Sequence, residues 1–221
     1  MAEESGHLAL DFGKMQRLLA EVMPWATHID LYHSLDYTDY YRTDTHWRQE
    51  NLLEAAEKLC EAMHVTPPDK QDYTVTAIER PFYGVYYGQA ALPMQPDTMQ
   101  ILESQLLADC IVYDHESGKN AQVYDRTKLD SKDLYDIFLS GSRSLLTVEN
   151  PNAGTERELI VFRDSFGSAM IPLILRDYAK ITLVDVRYIQ PALLSRYIDF
   201  SGQDVLFLYS TLVLNNSETI K

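Results

Sequence analysis

The sequence has no long hydrophobic run. No apolar stretch approaches the roughly 18 residues that a membrane-spanning helix requires. Residues 1–6 (MAEESG) are acidic, whereas a secretory signal begins with basic residues and continues into an apolar segment. The sequence therefore predicts no direct membrane span and shows neither a signal nor an anchor.

Positive charge is also scarce. Nineteen lysine and arginine residues stand against 33 aspartate and glutamate residues, which gives a formal net charge of −14. Such a chain repels phosphate backbones and anionic membrane surfaces. We therefore expect no nucleic-acid partner.

Few residues suit a metal or a redox centre. The two cysteines, Cys60 and Cys110, have neither metal-binding nor redox spacing, so we predict buried free thiols. A metal at Asp44 and His46 would need at least one further ligand. No ligand spacing relates the other histidines considered, His28, His33, His64 and His115. The sequence predicts no metal and no cofactor.

The chain does contain enough apolar residues for a sizeable core. Its 221 residues are 46% hydrophobic, which suits a single globular domain over residues 1–221. Hydrophobic spacing predicts a helix at 8–23, a strand at 27–35 and a second helix from Trp47. Residues 73–150 contain short strands between turn residues, with a helical pattern at 94–106, and are predicted to be a partly antiparallel inserted segment.

The last third of the chain alternates between strands and helices. The predicted strands are 159–162, 181–186 and 205–208, and the predicted helices are 167–178 and 191–197. Continuous apolar strands between helices indicate a buried parallel sheet covered on both faces. The predicted fold is therefore a three-layer α/β domain.

Ser165 follows the apolar strand 159–162 and precedes a helix that begins near Gly167. It would lie at the carboxyl end of a parallel strand, where the active sites of open α/β sheets are found. The backbone amides of Phe166 and Gly167, at a helix amino terminus, could stabilise an oxyanion. The alternative is that Asp164 and Ser165 simply cap the helix.

Asp44 and His46 are two residues apart. In an extended segment such residues point to one side, so Asp44 could hold one imidazole nitrogen and leave the other for Ser165. A serine attacks an acyl carbon well only when a histidine takes its proton and a carboxylate orients that histidine. The alternative is that Asp44 or Thr45 caps the following helix and that His46 is incidental.

Two further groups could bind a substrate. Arg187 follows a predicted strand and could clamp a developing negative charge, or it could simply pair with one of the many carboxylates. A set of aromatic residues would suit stacking on sugar rings if it lines a cleft, and is otherwise core and rim packing. The set is Tyr37, Tyr40, Tyr41, Trp47, Phe82, Tyr83, Tyr86 and Tyr87.

A family pattern is carried by four stretches: 40–47 (YYRTDTHW), 159–167 (LIVFRDSFG), 184–188 (VDVRY) and 204–209 (DVLFLY). In these stretches, and in their order, the chain resembles the DHHW proteins, a bacterial group related to the SGNH-type hydrolases and the alginate O-acetyltransferases. The resemblance implies an SGNH-hydrolase-like fold and an exported or cell-surface protein. It also implies a further amino-terminal portion that this chain lacks.

By the same resemblance, Asp44, His46 and Ser165 match the catalytic residues of the acetyltransferase relatives. Thr45 replaces the first histidine of the namesake motif and gives the Asp-Thr-His-Trp form of the alginate enzymes. Arg163 stands where many SGNH hydrolases have glycine, and residues 140–143 (SGSR) lack the expected asparagine or histidine. The resemblance therefore leaves the oxyanion partner unassigned.

These features predict serine-dependent acyl transfer, as an esterase or O-acetyltransferase, on a cell-surface glycan. The substrate would be a carbohydrate or an acyl ester, and the oligomeric state is not indicated. Ser165, His46 and Asp44 would be catalytic, with oxyanion or substrate contacts from Arg187, Phe166, Gly167 and Trp47. The alternatives are a non-catalytic cell-envelope or glycan-binding protein that retains the fold, and an intracellular esterase for small molecules.

Overall fold

The computed structural model describes residues 11–91 and 93–215. The chain divides into two compact units, Met1–His33 and Ser34–Lys221. A single domain that lacks an amino-terminal portion stays a prediction. Within the described residues, no helix is long and apolar enough to cross a membrane.

The first unit contains helix α1 (Phe12–Val22). Asp11 caps it, because its side chain accepts a hydrogen bond from the Lys14 amide at 2.8 Å. The predicted helix at 8–23 is thus found from residue 12, and its residues 8–10 lie outside the described range. The predicted strand at 27–35 is wrong: Asp30 accepts a hydrogen bond from the Tyr32 amide at 2.8 Å, and a 3-10 helix follows at Tyr32–Ser34.

The second unit holds the remaining described elements. Its strands are β1 (Thr74–Phe82), β2 (Asp97–Glu103), β3 (Ile111–Asp114), β4 (Lys119–Ala121), β5 (Leu145–Glu149), β6 (Arg157–Arg163), β7 (Tyr178–Val184) and β8 (Asp204–Leu208). Its α-helices are α2 (Leu53–Ala62), α3 (Val85–Ala90), α4 (Gln105–Asp109), α5 (Gly167–Met170) and α6 (Thr211–Asn215). Further 3-10 helices are Tyr37–Asp39, Gln49–Asn51, Lys70–Asp72, Arg126–Asp130, Leu134–Ile137, Ile171–Ile174 and Pro191–Arg196.

The central sheet has the strand order β4-β3-β5-β7-β6-β8. Strands β7, β6 and β8 are parallel, whereas β4, β3 and β5 continue the sheet in antiparallel fashion from β7. The predicted α/β class is confirmed, with a mixed sheet. The predicted inserted segment, residues 73–150, supplies both the antiparallel half of this sheet and a separate antiparallel pair, β1 and β2.

Two of the predicted helices differ from the structure. Residues 94–106 were predicted helical but contain strand β2, which alternates in burial and pairs with β1. The helix predicted at 167–178 is only α5 followed by the 3-10 helix Ile171–Ile174, which contains Pro172. The chain then enters β7 at Tyr178.

The core lies on the parallel strands. Leu159, Ile160 and Val161 of β6 are almost completely buried, and β7 packs beside them. Cys60 and Cys110 are buried free thiols, as predicted. Burial raises the pKa of each thiol to about 12, which makes them poor nucleophiles at neutral pH.

Candidate active site

Ser165 lies at the carboxyl end of β6, in the turn between that strand and α5. Its neighbours in the sheet, β7 and β8, run parallel to β6, so the turn stands at the edge where such sheets usually carry their sites. Ser165 itself is only partly buried, although Asp164 and Gly167 on either side are buried. Ser165 is therefore not fully buried and lies on a well-fixed turn.

Asp44 and His46 lie in a compact loop without regular secondary structure. Tyr40 and Trp47 form an isolated antiparallel bridge at its base, and the Tyr41 amide donates to the His46 carbonyl at 3.1 Å. The Asp44 carboxylate accepts a hydrogen bond from the His46 amide at 2.9 Å. The loop thus turns both side chains in one direction, and the helix predicted from Trp47 is found as α2 from Leu53.

The structure brings Asp44, His46 and Ser165 together in one chain of contacts. Asp44 Oδ1 lies 2.5 Å from His46 Nδ1, and His46 Nε2 lies 2.7 Å from Ser165 Oγ. Because a carboxylate only accepts, Nδ1 carries the imidazole proton and Nε2 is the acceptor for the serine hydroxyl. The geometry matches an orienting acid, a base and a hydroxyl nucleophile.

The Asp44 carboxylate is buried but well supplied with donors. Its Oδ1 faces the imidazole and amide of His46, and its Oδ2 accepts from the Val85 amide at 2.9 Å. Burial raises the pKa of Asp44, but the hydrogen bond and charge of His46, with the two amides, outweigh it and hold the pKa below its usual value. Asp44 is therefore ionised at neutral pH.

Two aromatic side chains contact the His46 ring. Tyr135 stacks on it with ring centroids 3.9 Å apart and planes 13° apart, and Phe166 lies at 4.8 Å. Trp47 is buried, and its indole N–H donates to the Phe166 carbonyl at 3.0 Å. Trp47 and Phe166 were both predicted to contact substrate or oxyanion. They connect the loop that carries the acid and the base (residues 41–47, the acid–base loop) to the turn that carries Ser165 (residues 163–167, the nucleophile turn).

The two amides predicted as oxyanion donors already have acceptors inside the turn. The Phe166 amide donates to Asp164 Oδ1 at 3.0 Å, and the Gly167 amide donates to the Asp164 carbonyl at 3.2 Å. Asp164 Oδ2 accepts from the Ser210 amide at 2.8 Å, which ties the turn to the end of β8. Within the described residues, the Ser165 amide has no such acceptor.

Two arginines lie close to this turn. Arg163 is completely buried, and its Nη1 donates to the Asp164 carbonyl and to Ser168 Oγ. Arg187 donates two hydrogen bonds to Asp185, from Nε to Oδ1 at 2.9 Å and from Nη2 to Oδ2 at 2.6 Å. The Asp185 carboxylate raises the pKa of Arg187, so this predicted anion clamp is already engaged as an ion pair.

The aromatic set predicted from the sequence divides by exposure. Tyr41, Trp47 and Phe82 are buried core residues, and Tyr37 is almost fully exposed. Tyr40 is partly buried. The remaining members are exposed: Tyr83 lies just before α3, and Tyr86 and Tyr87 lie within it.

A groove lies beside Tyr83. It has a volume of about 160 Å³, with Tyr83 and Lys132 on its rim and Phe82 and Leu134 in its walls. The rings of Tyr83 and Tyr87 are 4.6 Å apart. The Val85 amide donates to Asp44 and Tyr135 stacks on His46, so residues close in the chain to Tyr83 and Leu134 of the groove contact the site.

Three contributors to the site could not be found from their local sequence. Tyr135 stacks on His46, Asp97 binds Thr43 next to Asp44, and Ser210 binds Asp164. All three come from elements distant in the chain, and none belongs to a recognisable motif. Among residues 11–91 and 93–215, no group of three or more His, Cys, Asp or Glu side chains could hold a metal ion.

Comparison with known proteins gives one family and several related folds. A model of the DHHW protein family matches residues 9–184. A search of curated proteins finds no match. Among solved structures, a DHHW family protein from Eubacterium siraeum is 24% identical, with a TM-score of 0.66 over 86% of this chain and 67% of that chain.

PatB1 from Bacillus cereus has a similar fold in two structures. One is 18% identical, with a TM-score of 0.62 over 80% of this chain and 63% of that chain. The other, PatB1 with a sulfonyl adduct, is 17% identical, with a TM-score of 0.60 over 89% of this chain and 67% of that chain. The chain thus spans about two thirds of the length of these relatives.

Proposed function

This chain belongs to the DHHW protein family, and we propose from its site that it transfers acyl groups through Ser165, as an esterase or O-acetyltransferase acting on a cell-surface glycan. The observation that carries the proposal is the unbroken contact chain from Asp44 through His46 to Ser165, with 2.5 Å and 2.7 Å separations. The resemblance of residues 40–47 and 159–167 to alginate O-acetyltransferases supports the same chemistry.

The reaction proceeds in two steps, acylation of Ser165 and transfer of the acyl group to an acceptor. His46 Nε2 takes the Ser165 hydroxyl proton as Oγ bonds to the ester carbonyl carbon, and the carbonyl π electrons move to oxygen. The tetrahedral intermediate expels the alcohol, which takes the proton back from His46, and the acyl group stays on Ser165. Water or a sugar hydroxyl then repeats the sequence as the acceptor, which gives an esterase or a transferase.

The oxyanion needs at least one fixed donor. The Ser165 amide meets this need best, since the Phe166 and Gly167 amides already donate to Asp164. Arg187 could add a donor only through guanidinium N–H groups that do not donate to Asp185. The proposed oxyanion site is therefore centred on the nucleophile's own backbone.

The exposed tyrosines support a saccharide as the acceptor or donor. Tyr83, Tyr86 and Tyr87 are exposed, and Tyr83 lines the groove. Aromatic rings with a polar tip suit pyranose rings, whose faces are apolar and whose edges carry hydroxyls. A glycan outside the cell agrees with the family resemblance, so export belongs to the proposal.

The same tyrosines favour a second candidate, a glycan-binding protein that retains the fold without catalysis. The prior engagement of the Phe166 and Gly167 amides also fits this candidate, because the site then offers fewer oxyanion donors. The two candidates differ in turnover. Binding without turnover requires neither His46 nor Ser165.

Hydrolysis of 4-nitrophenyl acetate by the folded, full-length protein tests the proposal. We expect turnover that is lost in Ser165→Ala and retained in Ser201→Ala, a serine remote from the triad. Mass spectrometry of added oligosaccharides then separates an esterase, which releases only acetate, from a transferase, which adds acetyl groups to the sugar. Absence of turnover together with saccharide binding would favour the binding protein.

A further inference from the structure

A second buried carboxylate lies behind the acid–base loop. Asp97 is the first residue of β2 and pairs with Phe82 at the end of β1. It is almost completely buried, yet it touches none of the three proposed catalytic groups. Its partners are instead the two residues that precede Asp44.

Asp97 accepts four hydrogen bonds from those two residues. Its Oδ2 accepts from the Thr43 amide at 2.8 Å and from the Thr43 hydroxyl at 2.7 Å. Its Oδ1 accepts from the amide and Nε of Arg42, each at 3.3 Å. One buried side chain thus satisfies consecutive backbone N–H groups of a loop that has no regular secondary structure.

Thr43 connects Asp97 to the segment that binds Asp44. Its hydroxyl accepts from the Gly84 amide at 3.1 Å, and its carbonyl accepts from the Tyr86 amide at 2.9 Å. Between these two residues, the Val85 amide donates to Asp44 Oδ2. The position of Asp44 therefore depends on Thr43 and on residues 84–86, and Asp97 fixes Thr43.

We propose that Asp97 is a positioning residue, which acts through Thr43 to keep the Asp44 carboxylate aligned with His46 Nδ1. The kinetic part of this inference rests on the proposed function, whereas its structural part does not. Asp97 suits the role as a permanent acceptor. Burial raises the pKa of its carboxyl, but the Thr43 and Arg42 hydrogen bonds outweigh burial and hold the pKa below its usual value.

The test uses two variants that loosen the link and one matched control. Asp97→Asn keeps the size of the side chain but removes its charge and one acceptor, and Thr43→Val removes the bridging hydroxyl. Asp114→Asn is the control, because Asp114 is equally buried and also accepts from a local amide and a hydroxyl, but lies at the end of β3 without contact to the triad.

The first readout is the low-field proton NMR signal of His46 Nδ1–H, identified by its loss in Asp44→Asn. We expect this signal to broaden or move toward the amide region in Asp97→Asn and Thr43→Val, and to be unchanged in Asp114→Asn. An unchanged signal in folded Asp97→Asn would overturn the inference whether or not the protein is an enzyme.

The second readout is steady-state kinetics with an acetyl ester. We expect kcat to fall by about 10- to 100-fold in Asp97→Asn, with KM within about twofold of the wild type, since a small misplacement of a catalytic group affects chemistry more than binding. A fall in kcat no larger than in Asp114→Asn would overturn the inference. Absence of wild-type turnover would instead count against the proposed function and leave the NMR result to decide the role of Asp97.

Discussion

The two halves of the site are built in different ways. The nucleophile turn, residues 163–167, follows a buried parallel strand and is held mainly by hydrogen bonds within itself, Phe166 and Gly167 to Asp164. The acid–base loop, residues 41–47, has no regular secondary structure and is held by residues 82–87 and by Asp97. The sheet positions one half, whereas the backbone amides of residues 84–86 and the Asp97 side chain position the other.

This difference predicts where the site is most easily disturbed. A turn fixed by its own short-range hydrogen bonds re-forms whenever the strand is in place, but a loop fixed from outside depends on every one of its partners. The two halves meet where His46 and Trp47 contact Phe166. Changes in the acid–base loop should therefore cost more activity, at equal cost in stability, than changes in the nucleophile turn that leave Ser165 in place.

Among changes that leave Ser165 in place, the largest effect is expected from Asp44→Asn. The asparagine keeps the shape of the side chain but can present its amide to His46, which favours the wrong imidazole tautomer. We expect kcat for an acetyl ester to fall by about 10⁴-fold with little change in melting temperature. A loss below tenfold in the folded variant would mean that Asp44 does not orient the base.

An intermediate effect is expected from a pair of glycine substitutions, one in each half. A Cβ at Gly84 would lie 2.2 Å from the Asp44 Cβ and 2.6 Å from the Thr43 carbonyl oxygen, whereas a Cβ at Gly167 would lie 2.9 Å from the Arg163 Cβ. We expect Gly84→Ala to lower kcat by about 100-fold and Gly167→Ala to lower it less, because only the first displaces the orienting carboxylate.

Gly154→Ala serves as the control for this pair, because nothing lies within 4 Å of its added Cβ. Kinetics and thermal melting of the three variants check the prediction. If Gly167→Ala lost more activity than Gly84→Ala, the nucleophile turn rather than the acid–base loop would be the sensitive half.

The smallest effect concerns acid stability. Because hydrogen bonds hold the pKa of Asp97 below its usual value in the folded chain, this carboxylate stabilises the fold above the unfolded pKa of about 3.9. The stabilisation is lost as the pH falls through the lower folded pKa. Wild type should therefore exceed Asp97→Asn in unfolding free energy at pH 6, on the order of 1 kcal/mol, and the difference should shrink on acidification to pH 3.

Denaturant unfolding of both proteins at the two pH values measures this difference. A gap that stays constant between pH 6 and pH 3 would mean that the charge of Asp97 does not support the loop. Asp114→Asn, measured alongside, controls for the general effect of replacing a buried carboxylate.

The same contrast explains how much the sequence could predict. The turn that carries Ser165 follows from an apolar strand and a helix start, both local patterns, and strands β6 and β8 were found within two residues of their observed ends. The Asp44 and His46 pair could be identified from the sequence because the two residues are close in the chain. The alignment of the Asp44 carboxylate with the His46 ring could not be predicted, because it depends on contacts with residues about 40 to 55 positions away.

Residues 94–106, which include the Asp97 that holds the acid–base loop, were also poorly predicted. Residues 94–106 have apolar residues at helical intervals, yet Asp97 begins a strand there because β1 offers a pairing partner. Tyr135 lies in a 3-10 helix and stacks on His46 only after the chain has folded back. Tertiary pairing and stacking of this kind leave no periodic pattern in a single sequence.

Covalent labelling tests the central claim most directly. The folded, full-length protein is treated with a serine-directed fluorophosphonate, digested and analysed by fragment mass spectrometry, alongside Ser165→Ala and His46→Ala. We predict a single adduct on Ser165, no adduct in Ser165→Ala, and labelling at least about 100-fold slower in His46→Ala. Failure of the wild type to react, or labelling of Ser165 at the same rate without His46, would contradict an activated serine in this site.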